Sequence, residues 1–519
     1  MNSNIMLVLH SHIPYVKKQG RWPFGEVWLF EAMAETYIPF LRIWLRLRGE
    51  GMRAPVTLSL SPPLLDQLSS PYIQKEFLNY LRERENKAAE DERYYLSVAE
   101  PNMAALSSFY YRFYRDIRRD FSLELGNDLV GAFKELKNRG EIEIIATAAS
   151  HAYLPLLNPK SLQHQIYWGI KTYEKYFNCA PEGFWLPECG YFQGIEDLLI
   201  ANGIKYFYVD SHAVEGGKPL GEFSLMDPEL DCSNEVFANT GLSTYRPYKI
   251  KDRNIMVLGR NAMISQQVWS ADYGYPGDKV YREFHRESPR SGFKYWRITD
   301  RSNETKLPYE PEQARLKVKQ HARHFLNNLR NTSYEAVNLG FEQPLIVGCY
   351  DTELFGHWWW EGIDWLEEVV RGIATSKEMS FILPAEIELP AAEAQVFESS
   401  WGTGGKHYIW ENKETEWMWE ILNKASREFE ELDKERPASA VKSRSLAQAM
   451  RELILIESSD WMFMVTNNLT RDYAIKRFFE HYAKFLRLVN AVRDDNYSDD
   501  FVAWLKQIEA EDDFLSFID

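Results

Sequence analysis

The chain lacks the features of secreted, zinc-binding and membrane-spanning proteins. Its four cysteines form neither a CxxC pair nor a regular spacing, so the sequence indicates neither a disulfide framework nor a zinc site. No apolar run approaches the roughly 20 residues that a membrane span needs. The first residues also lack the basic segment of a signal peptide. We therefore expect a cytoplasmic protein.

Positive charge is scarce as well. Lysine and arginine number 60 against 76 aspartate and glutamate residues, a formal net charge of −16. Such a surface repels phosphate backbones and anionic lipid headgroups, so we expect neither a nucleic-acid partner nor a membrane partner. The sequence has no internal repeat, and it leaves the oligomeric state open, a monomer among the possibilities.

Aromatic residues, by contrast, are abundant. The chain has 17 Trp, 29 Tyr and 29 Phe, and 45% of its residues are hydrophobic. Most of these rings are expected in a large core. The remainder suits a site for a ligand with flat apolar faces, of which sugars are the common case.

Seven short apolar runs predict buried strands. Continuous runs of this length are typical of parallel strands covered on both faces. Helical patterns separate most of them, which indicates βα units. The runs are residues 5–9, 56–60, 142–147, 184–187, 206–209, 255–259 and 345–350. The helical patterns are residues 26–48, 103–138, 159–177, 313–331 and 361–374.

Polar or ionisable residues follow most of these runs. In a β/α barrel, functional residues lie at the C-terminal ends of the strands. A doubly wound open sheet would not gather residues from so many strands, so an incomplete seven-stranded (β/α)7 TIM-like barrel is favoured. The residues at these positions are His10, His12, His151, Glu188, Arg260 and Asp351.

The barrel is predicted to occupy residues 1–385. Residues 63–110 are too long and too charged for an ordinary connection and predict an inserted helical domain. Residues 213–250 predict a long loop over the barrel mouth, since loops of this length are usually functional or disordered. Residues 386–519 lose the strand pattern and predict a C-terminal α-helical domain that completes the cleft.

Two acids have the context for paired-carboxyl catalysis. Glu188 ends the run FWLPE and Asp351 ends LIVGCYD. Two acids in an apolar, aromatic site cannot both be stable as anions, so one becomes a proton donor while the other stays ionised. Cleavage of a glycosidic bond requires this division of roles.

His10 and His12 leave more than one reading open. Alternate residues on a strand share a face, so both imidazoles point the same way. They could be a hydrogen-bonded pair, a metal site of an HxH barrel hydrolase, or groups that recognise sugar hydroxyls. The GTGG of 402–405 follows no strand and lacks the GK[ST] ending, so a phosphate loop is disfavoured.

Five ordered motifs resemble the conserved regions of glycoside hydrolase family 57. The resemblance covers nearly the whole chain, and RWPFGEVWLFEAMAETY at 21–37 is similar to the part of that family that contains branching enzymes and amylases. The motifs are HSH at 10–12, GEIEIIATAASHAYLPLL at 140–157, FWLPECGY at 184–191, YDTELFGHWW at 350–359 and SSDWMF at 458–463.

The resemblance implies a retaining mechanism on α-glucans. Glu188 would be the nucleophile and Asp351 the general acid/base, with the two carboxyl groups about 5–5.5 Å apart. No metal and no cofactor are expected. The substrate-binding residues implied by the resemblance are His10, His12, His151, Arg260, Trp269, Gly277, Trp401, Trp410, Asp460 and Trp28, with Trp22 a weaker candidate.

The resemblance implies a covalent glucosyl-enzyme intermediate, and the acceptor that attacks this intermediate determines the product. A sugar 6-hydroxyl gives an α-1,6 branch, whereas water gives hydrolysis. Branching members of the family carry a tyrosine at the tip of a loop that shields the intermediate, and the corresponding loop here, residues 213–244, has none. We predict branching activity, with an α-amylase-type or mixed activity as the alternative. A metal-dependent barrel hydrolase and a non-catalytic glucan-binding protein are the rival classes.

Overall fold

A computed structural model describes residues 3–21, 23–221, 236–270, 274–300, 305–432 and 439–518. Within these ranges one sheet organises the first part of the chain. Its strands are β1 Ser3–Ser11, β2 Val56–Leu60, β3 Ile142–Thr147, β4 Gly183–Trp185, β5 Tyr206–Val209, β6 Tyr248–Ile250, β7 Met256–Gly259, β8 Leu345–Asp351, β9 Met379–Phe381 and β10 Glu393–Ala394.

Seven of these strands coincide with the seven apolar runs, and all seven are parallel. Their order across the sheet is β7-β5-β4-β3-β2-β1-β8. Among the described residues no strand pairing closes the gap between β7 and β8. A single hydrogen bond from the Asn261 amide to the Val347 carbonyl, 2.7 Å long, crosses it. The predicted incomplete barrel is therefore confirmed.

Three short strands were not predicted. β6 lies within the expected mouth loop and runs antiparallel to β7, and β10 pairs with β6. β9 adds to the beginning of β1. None of the three has the length of apolar sequence that made the seven longer strands recognisable.

Side-chain alternation divides the barrel strands between two cores. On β1, Met6 and Val8 belong to the cluster inside the barrel, whereas Leu7 and Leu9 pack under the surrounding helices. Because alternate residues share a face, His10 continues the inward row. By the same rule, the inward-facing row of β8, which includes Val347 and Cys349, ends at Asp351.

Helices cover the sheet and form the C-terminal part of the chain. Within the described ranges none is both long and apolar enough to cross a membrane. The helices are α1 Glu26–Ala32, α2 Ile38–Gly49, α3 Pro62–Ser69, α4 Pro71–Ser97, α5 Pro101–Arg119, α6 Leu129–Asn138, α7 Pro159–Phe177, α8 Ile195–Ala201, α9 Ser211–Glu215, α10 Ala262–Trp269, α11 Pro311–Asn338, α12 Gly362–Ala374, α13 Glu416–Leu432, α14 Ala440–Ile456, α15 Ser459–Thr466, α16 Arg471–Arg493 and α17 Asp499–Glu511.

The insertion is a packed pair of long helices rather than one exposed helix. α4 and α5 are joined by three residues and pack against each other. The second helix of the pair ends at residue 119, beyond the predicted limit of 110, because the apolar stripe of α5 continues through Tyr114 and Ile117. Residues 63–69, which were assigned to the insertion, form α3 beside the barrel helices α6 and α7.

The C-terminal helices have a hydrophobic core of their own. It includes Trp461, Phe478 and Phe485, and it also takes in Tyr153 from the loop after β3. The helices begin only at Glu416. The irregular segment before them, which the sequence analysis assigned to the helical part, supplies β10 to the barrel sheet, whereas its last part packs Ile409 and Trp410 into the C-terminal core.

The base of the mouth loop is held in two places. Gly217 and Phe237 exchange a pair of backbone hydrogen bonds of 2.9 Å, and the Gly404 amide donates to the Gly221 carbonyl at 2.7 Å. Residues 222–235, which include the tip of the predicted loop, lie outside the described residues.

Gly356 provides a test of the close packing next to the barrel mouth. Its φ is +113°, and an added Cβ would lie 1.9 Å from the Glu35 carbonyl oxygen. We expect Gly356→Ala to lower the free energy of unfolding by about 3 kcal/mol or more, through strain and overpacking together. Gly140→Ala is the matched control, since Gly140 has φ +69° and open space around it. Equal losses for the two variants in chemical denaturation would contradict the packing described here.

Candidate active site

A cavity of about 1200 Å³ lies at the C-terminal ends of the barrel strands. Eight of the predicted site residues line it. It also contains residues from α4, from the segment 284–294 and from the C-terminal helices. The eight residues are His10, His12, Trp28, His151, Glu188, Asp351, Trp401 and Asp460.

Glu188 is presented on a strained turn. β4 ends at Trp185, and the chain then forms a single 3-10 turn in which Glu188 has φ +61° and Cys189 φ +51°. His151 also has φ +60°. Left-handed backbone in residues other than glycine costs about 1–2 kcal/mol each. Such strain concentrates at functional sites, and here it turns the carboxyl group toward the cavity instead of along the strand.

Trp401 holds Glu188 at two points. The Trp401 amide donates to the Glu188 carbonyl at 2.9 Å, and the indole Nε1–H donates to the Glu188 carboxylate at 2.5 Å. The indole hydrogen bond favours the ionised carboxylate. Trp401 was predicted to bind substrate, and in the structure it contacts the candidate catalytic residue Glu188 directly.

Asp351 ends β8 and is the β-bridge neighbour of His10 on β1. It extends the inward row of Val347 and Cys349, so its carboxyl group faces the barrel mouth. Nearby, Glu353 accepts hydrogen bonds from the Tyr37 hydroxyl and from the His12 amide. These contacts fix the turn that follows the candidate acid.

Both candidate carboxyl groups have raised pKa values. Burial, the charge of Asp351 and that of Asp460 raise the pKa of Glu188 to about 8, against the opposing hydrogen bond from Trp401. Burial and the charge of Glu353 raise the pKa of Asp351 well above its usual range. Because the two groups repel each other as anions, the pair retains a proton near neutral pH. One acid and one base are thereby available together.

The three histidines form a stack at the bottom of the cavity. The rings of His12 and His151 are 4.1 Å apart, and those of His10 and His151 are 4.7 Å apart. His10 Nε2 is hydrogen-bonded to His151 Nε2 at 2.7 Å. Burial and the neighbouring imidazoles lower the pKa of His10 and of His151 well below the ordinary value, so these rings are neutral hydrogen-bonding groups.

Asp460 connects the C-terminal helices to this stack. Its Oδ2 is hydrogen-bonded to His12 Nε2 at 2.9 Å. Burial alone would raise the pKa of Asp460, but His12, His151 and the Ser458 hydroxyl lower it below the usual value. Asp460 is therefore a permanent anion at the edge of the cavity, supplied by a different part of the chain from the two barrel carboxyl groups.

Arg260 lies behind the site rather than in it. Its guanidinium makes two hydrogen bonds to Asp210, of 3.0 and 2.7 Å, and both residues are buried. The guanidinium also lies 5.3 Å from the Trp401 ring. Arg260 was expected near the substrate, but it is not among the residues that line the cavity. Its contacts orient Trp401, which in turn contacts Glu188.

Three other predicted residues are not brought to the cavity wall. Trp410 is buried and stacks on Tyr153 at 4.0 Å, so it offers no free ring face to a ligand. Trp269 lies behind the exposed Trp358, with ring centroids 6.4 Å apart, and Gly277 belongs to a 3-10 turn away from the lining. Trp22 lies outside the described residues.

Sequence reasoning missed several polar partners of the site. Ser59 Oγ is hydrogen-bonded to His10 at 3.2 Å and Ser61 Oγ to His12 at 2.8 Å. The sequence contained a signal for these partners. Ser59 and Ser61 alternate at the end of the second apolar run, just as His10 and His12 alternate at the end of the first. Glu353 was also missed; it lies in the 3-10 turn Thr352–Leu354, which directly follows Asp351.

Within the described ranges the histidines do not form a three-ligand metal set with the nearby acids. The one group of three possible ligands is Glu452, His481 and Asp512 among the C-terminal helices. There Arg477 donates to His481 at 2.6 Å and Lys484 bonds Asp512, so cationic side chains already occupy these groups. The metal-dependent alternative thus has no ligand set at the barrel mouth.

The fold and the site together define a barrel enzyme with a pair of part-buried carboxyl groups in one cavity. Residues 6–396 match glycosyl hydrolase family 57, and residues 421–519 match the C-terminal region of 1,4-alpha-glucan branching enzymes. The chain belongs to glycosyl hydrolase family 57. The resemblance inferred from the five motifs is therefore confirmed.

Two relatives are similar over nearly their whole structures. The 1,4-alpha-glucan branching enzyme TK1436 of Thermococcus kodakarensis is 38% identical over 99% of this chain and 77% of its own length. Its crystal structure superposes with a TM-score of 0.88 at 35% identity and covers 100% of this chain and 96% of that one. The alpha-amylase AmyC of Thermotoga maritima superposes with a TM-score of 0.84 at 29% identity, over 99% and 98% of the two chains.

Trp401→Phe tests the hydrogen bond to the candidate nucleophile. The variant keeps the ring but loses the indole donor, and without that donor the pKa of Glu188 rises further and the reactive anion is less populated. We expect kcat on an α-glucan to fall roughly ten- to hundredfold, the usual worth of a hydrogen bond to a charged group. Trp417→Phe is the matched control, since its indole donates to the surface carbonyl of Glu414. Similar activity of the two variants would contradict the assigned role.

Glu188→Gln tests the energetic cost of the buried acid. The pKa of Glu188 is about 8 when folded and near 4.5 when unfolded, so the wild-type protein loses stability as pH rises from about 4.5 through 8. Glutamine removes this loss. We expect the variant's advantage in free energy of unfolding to be absent at pH 4 and to grow to about 3–5 kcal/mol at most by pH 8. Denaturation curves that differ equally at both pH values would contradict the raised pKa.

Proposed function

We propose that this chain is a 1,4-α-glucan branching enzyme in which Glu188 is the nucleophile and Asp351 the general acid/base. The observation that carries the proposal is the convergence of these two part-buried acids, both with raised pKa values, in one cavity. The 38% identity to a named branching enzyme over nearly the whole chain, and the match of residues 421–519, support the particular activity.

The first step cleaves an α-1,4 bond. Glu188 attacks the anomeric carbon as a carboxylate, while Asp351 donates its proton to the departing glycosidic oxygen. The donor from Trp401 stabilises the Glu188 anion before the attack. The ring nitrogens of the three stacked histidines already bond one another, the neighbouring serines and Asp460. A sugar hydroxyl at the cleavage point therefore binds an imidazole only by replacing one of these partners.

The second step transfers the bound chain. Asp351, now ionised, removes the proton from the acceptor hydroxyl as that oxygen attacks the glucosyl ester and releases Glu188. A 6-hydroxyl of another glucan gives an α-1,6 branch and restores both carboxyl groups. Since the same proton carrier serves both steps, the reaction needs no group beyond the chain's own side chains.

An α-amylase-type hydrolase is the second candidate. The observation that favours it is the absence of a tyrosine from residues 213–244. The close structural likeness to AmyC, which bears the name of an alpha-amylase, points the same way. A mixed activity would combine both outcomes, because water and a sugar hydroxyl compete for the same intermediate.

Incubation with amylose separates the two candidates. We expect α-1,6 linkages, counted by NMR or by debranching, to exceed new reducing ends several-fold. The excess arises because transfer conserves the number of reducing ends while hydrolysis creates one for each cleaved bond. New reducing ends without α-1,6 linkages would make the chain an amylase and would overturn the first proposal.

Asp351→Asn tests the assignment of the acid/base. An activated substrate such as a maltosyl fluoride needs no proton to release its leaving group, so the first step should survive while the second stalls. We expect a burst of fluoride that matches the enzyme concentration, and turnover restored by azide, which attacks without base assistance. Glu188→Gln is the control and should release no burst. An equal burst from both variants would contradict the two roles.

A further inference from the structure

One wall of the cavity takes no part in the proposed bond cleavage. We call it the Lys294 wall. It faces the same cavity as the carboxyl pair but comes from α1, from the insertion, from segment 284–294 and from the segment after Asp351. Its members are Glu31, Arg84, Phe284, Lys294, His357 and Trp358.

Lys294 is a buried cation whose ammonium forms no direct hydrogen bond or ion pair among the described residues. The residue is 7% exposed, and its ammonium lies 4.1 Å from the centroid of the Phe284 ring. Its charge reaches the Glu35 carboxyl only through space: burial alone would raise the pKa of Glu35, but Arg282, His357 and Lys294 lower it. Burying a charge without hydrogen-bonding partners is costly, and Lys294 lines the cavity, so a ligand there can supply the missing acceptors.

The wall positions this lysine rigidly. The Arg84 guanidinium stacks on the Phe293 ring at 4.0 Å. It also donates to the carbonyls of Ser291 and Gly292, at 3.0 and 3.3 Å. Arg84 thereby fixes the backbone just before Lys294 from the neighbouring helix α4. The ammonium is pre-organised rather than free to seek a partner on the surface.

The charges around Lys294 favour a neutral ligand over an anion. Glu31 and Glu287 line the same cavity, so cations and carboxylates alternate on this side. An anion such as a phosphate would be repelled by these carboxylates. A polyhydroxyl chain, in contrast, can accept from ammonium and donate to carboxylate at the same time.

Trp358 adds a surface for a sugar ring. It is 41% exposed and lines the cavity, and its ring centroid lies 6.4 Å from that of Trp269 and 6.4 Å from that of His357. A large exposed indole beside a buried cation and a carboxylate combines an apolar platform with donors and acceptors. That combination matches one apolar face and the hydroxyl rim of a glucose unit.

We propose that the Lys294 wall binds the acceptor glucan, with Lys294 donating to its hydroxyl groups and Trp358 stacking on a glucose ring. The side of the cleft follows from the chemistry. A general acid lies beside the leaving oxygen, and His357 and Trp358 belong to the turn that continues directly from Asp351. The departing chain leaves on this side and the acceptor enters there. The inference rests on the proposed branching activity and names the binding surface that this activity needs.

The test compares transfer with hydrolysis in single variants. Amylose is the donor and isotopically labelled amylodextrin the acceptor, and labelled α-1,6 linkages and new reducing ends are counted together. For Lys294→Met we expect the acceptor concentration at half-maximal branching to rise about tenfold, the worth of one charged hydrogen bond, and the ratio of branches to reducing ends to fall. Lys294→Arg should recover much of the loss because it restores a cationic donor.

Two further variants make the result decisive. Trp358→Ala changes an exposed ring, so it carries the test even if Lys294→Met folds poorly, and it should also raise the acceptor requirement. Lys476→Met, at a solvent-exposed lysine of α16, is the control and should behave as the wild type. Wild-type acceptor dependence in both Lys294→Met and Trp358→Ala would overturn the inference while leaving branching intact. A wild-type enzyme that forms no branches would overturn the proposed function first and this inference with it.

Discussion

The structure depends on placing two carboxyl groups close together where water is scarce. Burial raises the pKa of Glu188 to about 8 and that of Asp351 well above its usual range, so the pair retains a proton that bond cleavage can use. This arrangement is unfavourable for folding. It persists because the barrel strands, the strained turn at Glu188 and the indole of Trp401 hold the groups in place.

Support for this pair comes from parts of the chain that are remote in sequence. Asp210 and Arg260 form a buried ion pair beneath Trp401, and Trp401 holds Glu188 from a segment that precedes the C-terminal helices. Asp460, at the start of α15, fixes His12. The catalytic geometry therefore needs the C-terminal helices as well as the barrel, which agrees with the family matches that together cover both regions.

The cavity is asymmetric in its chemistry. Near the carboxyl pair it is built from stacked histidines and aromatic rings, and this part suits the sugar at which the bond would break. The Lys294 wall instead combines cations, carboxylates and an exposed indole. A transferase must hold two chains, whereas a hydrolase need hold only one. The Lys294 wall therefore bears on the choice between branching and hydrolysis more directly than the carboxyl pair does, because both reactions would use the same pair.

The sequence by itself determined the seven parallel strands and the two acids, because continuous apolar runs and the residues that end them depend on local order along the chain. The residues whose role depends on packing could be settled only by the tertiary structure. Trp410 and Trp401 look alike in sequence, yet Trp410 is buried on Tyr153 whereas Trp401 contacts Glu188. Arg260 ends a barrel strand as predicted, but Asp210 draws it behind the site. Nothing in the local pattern encodes such partners, because the contacts join segments that meet only when the sheet curls.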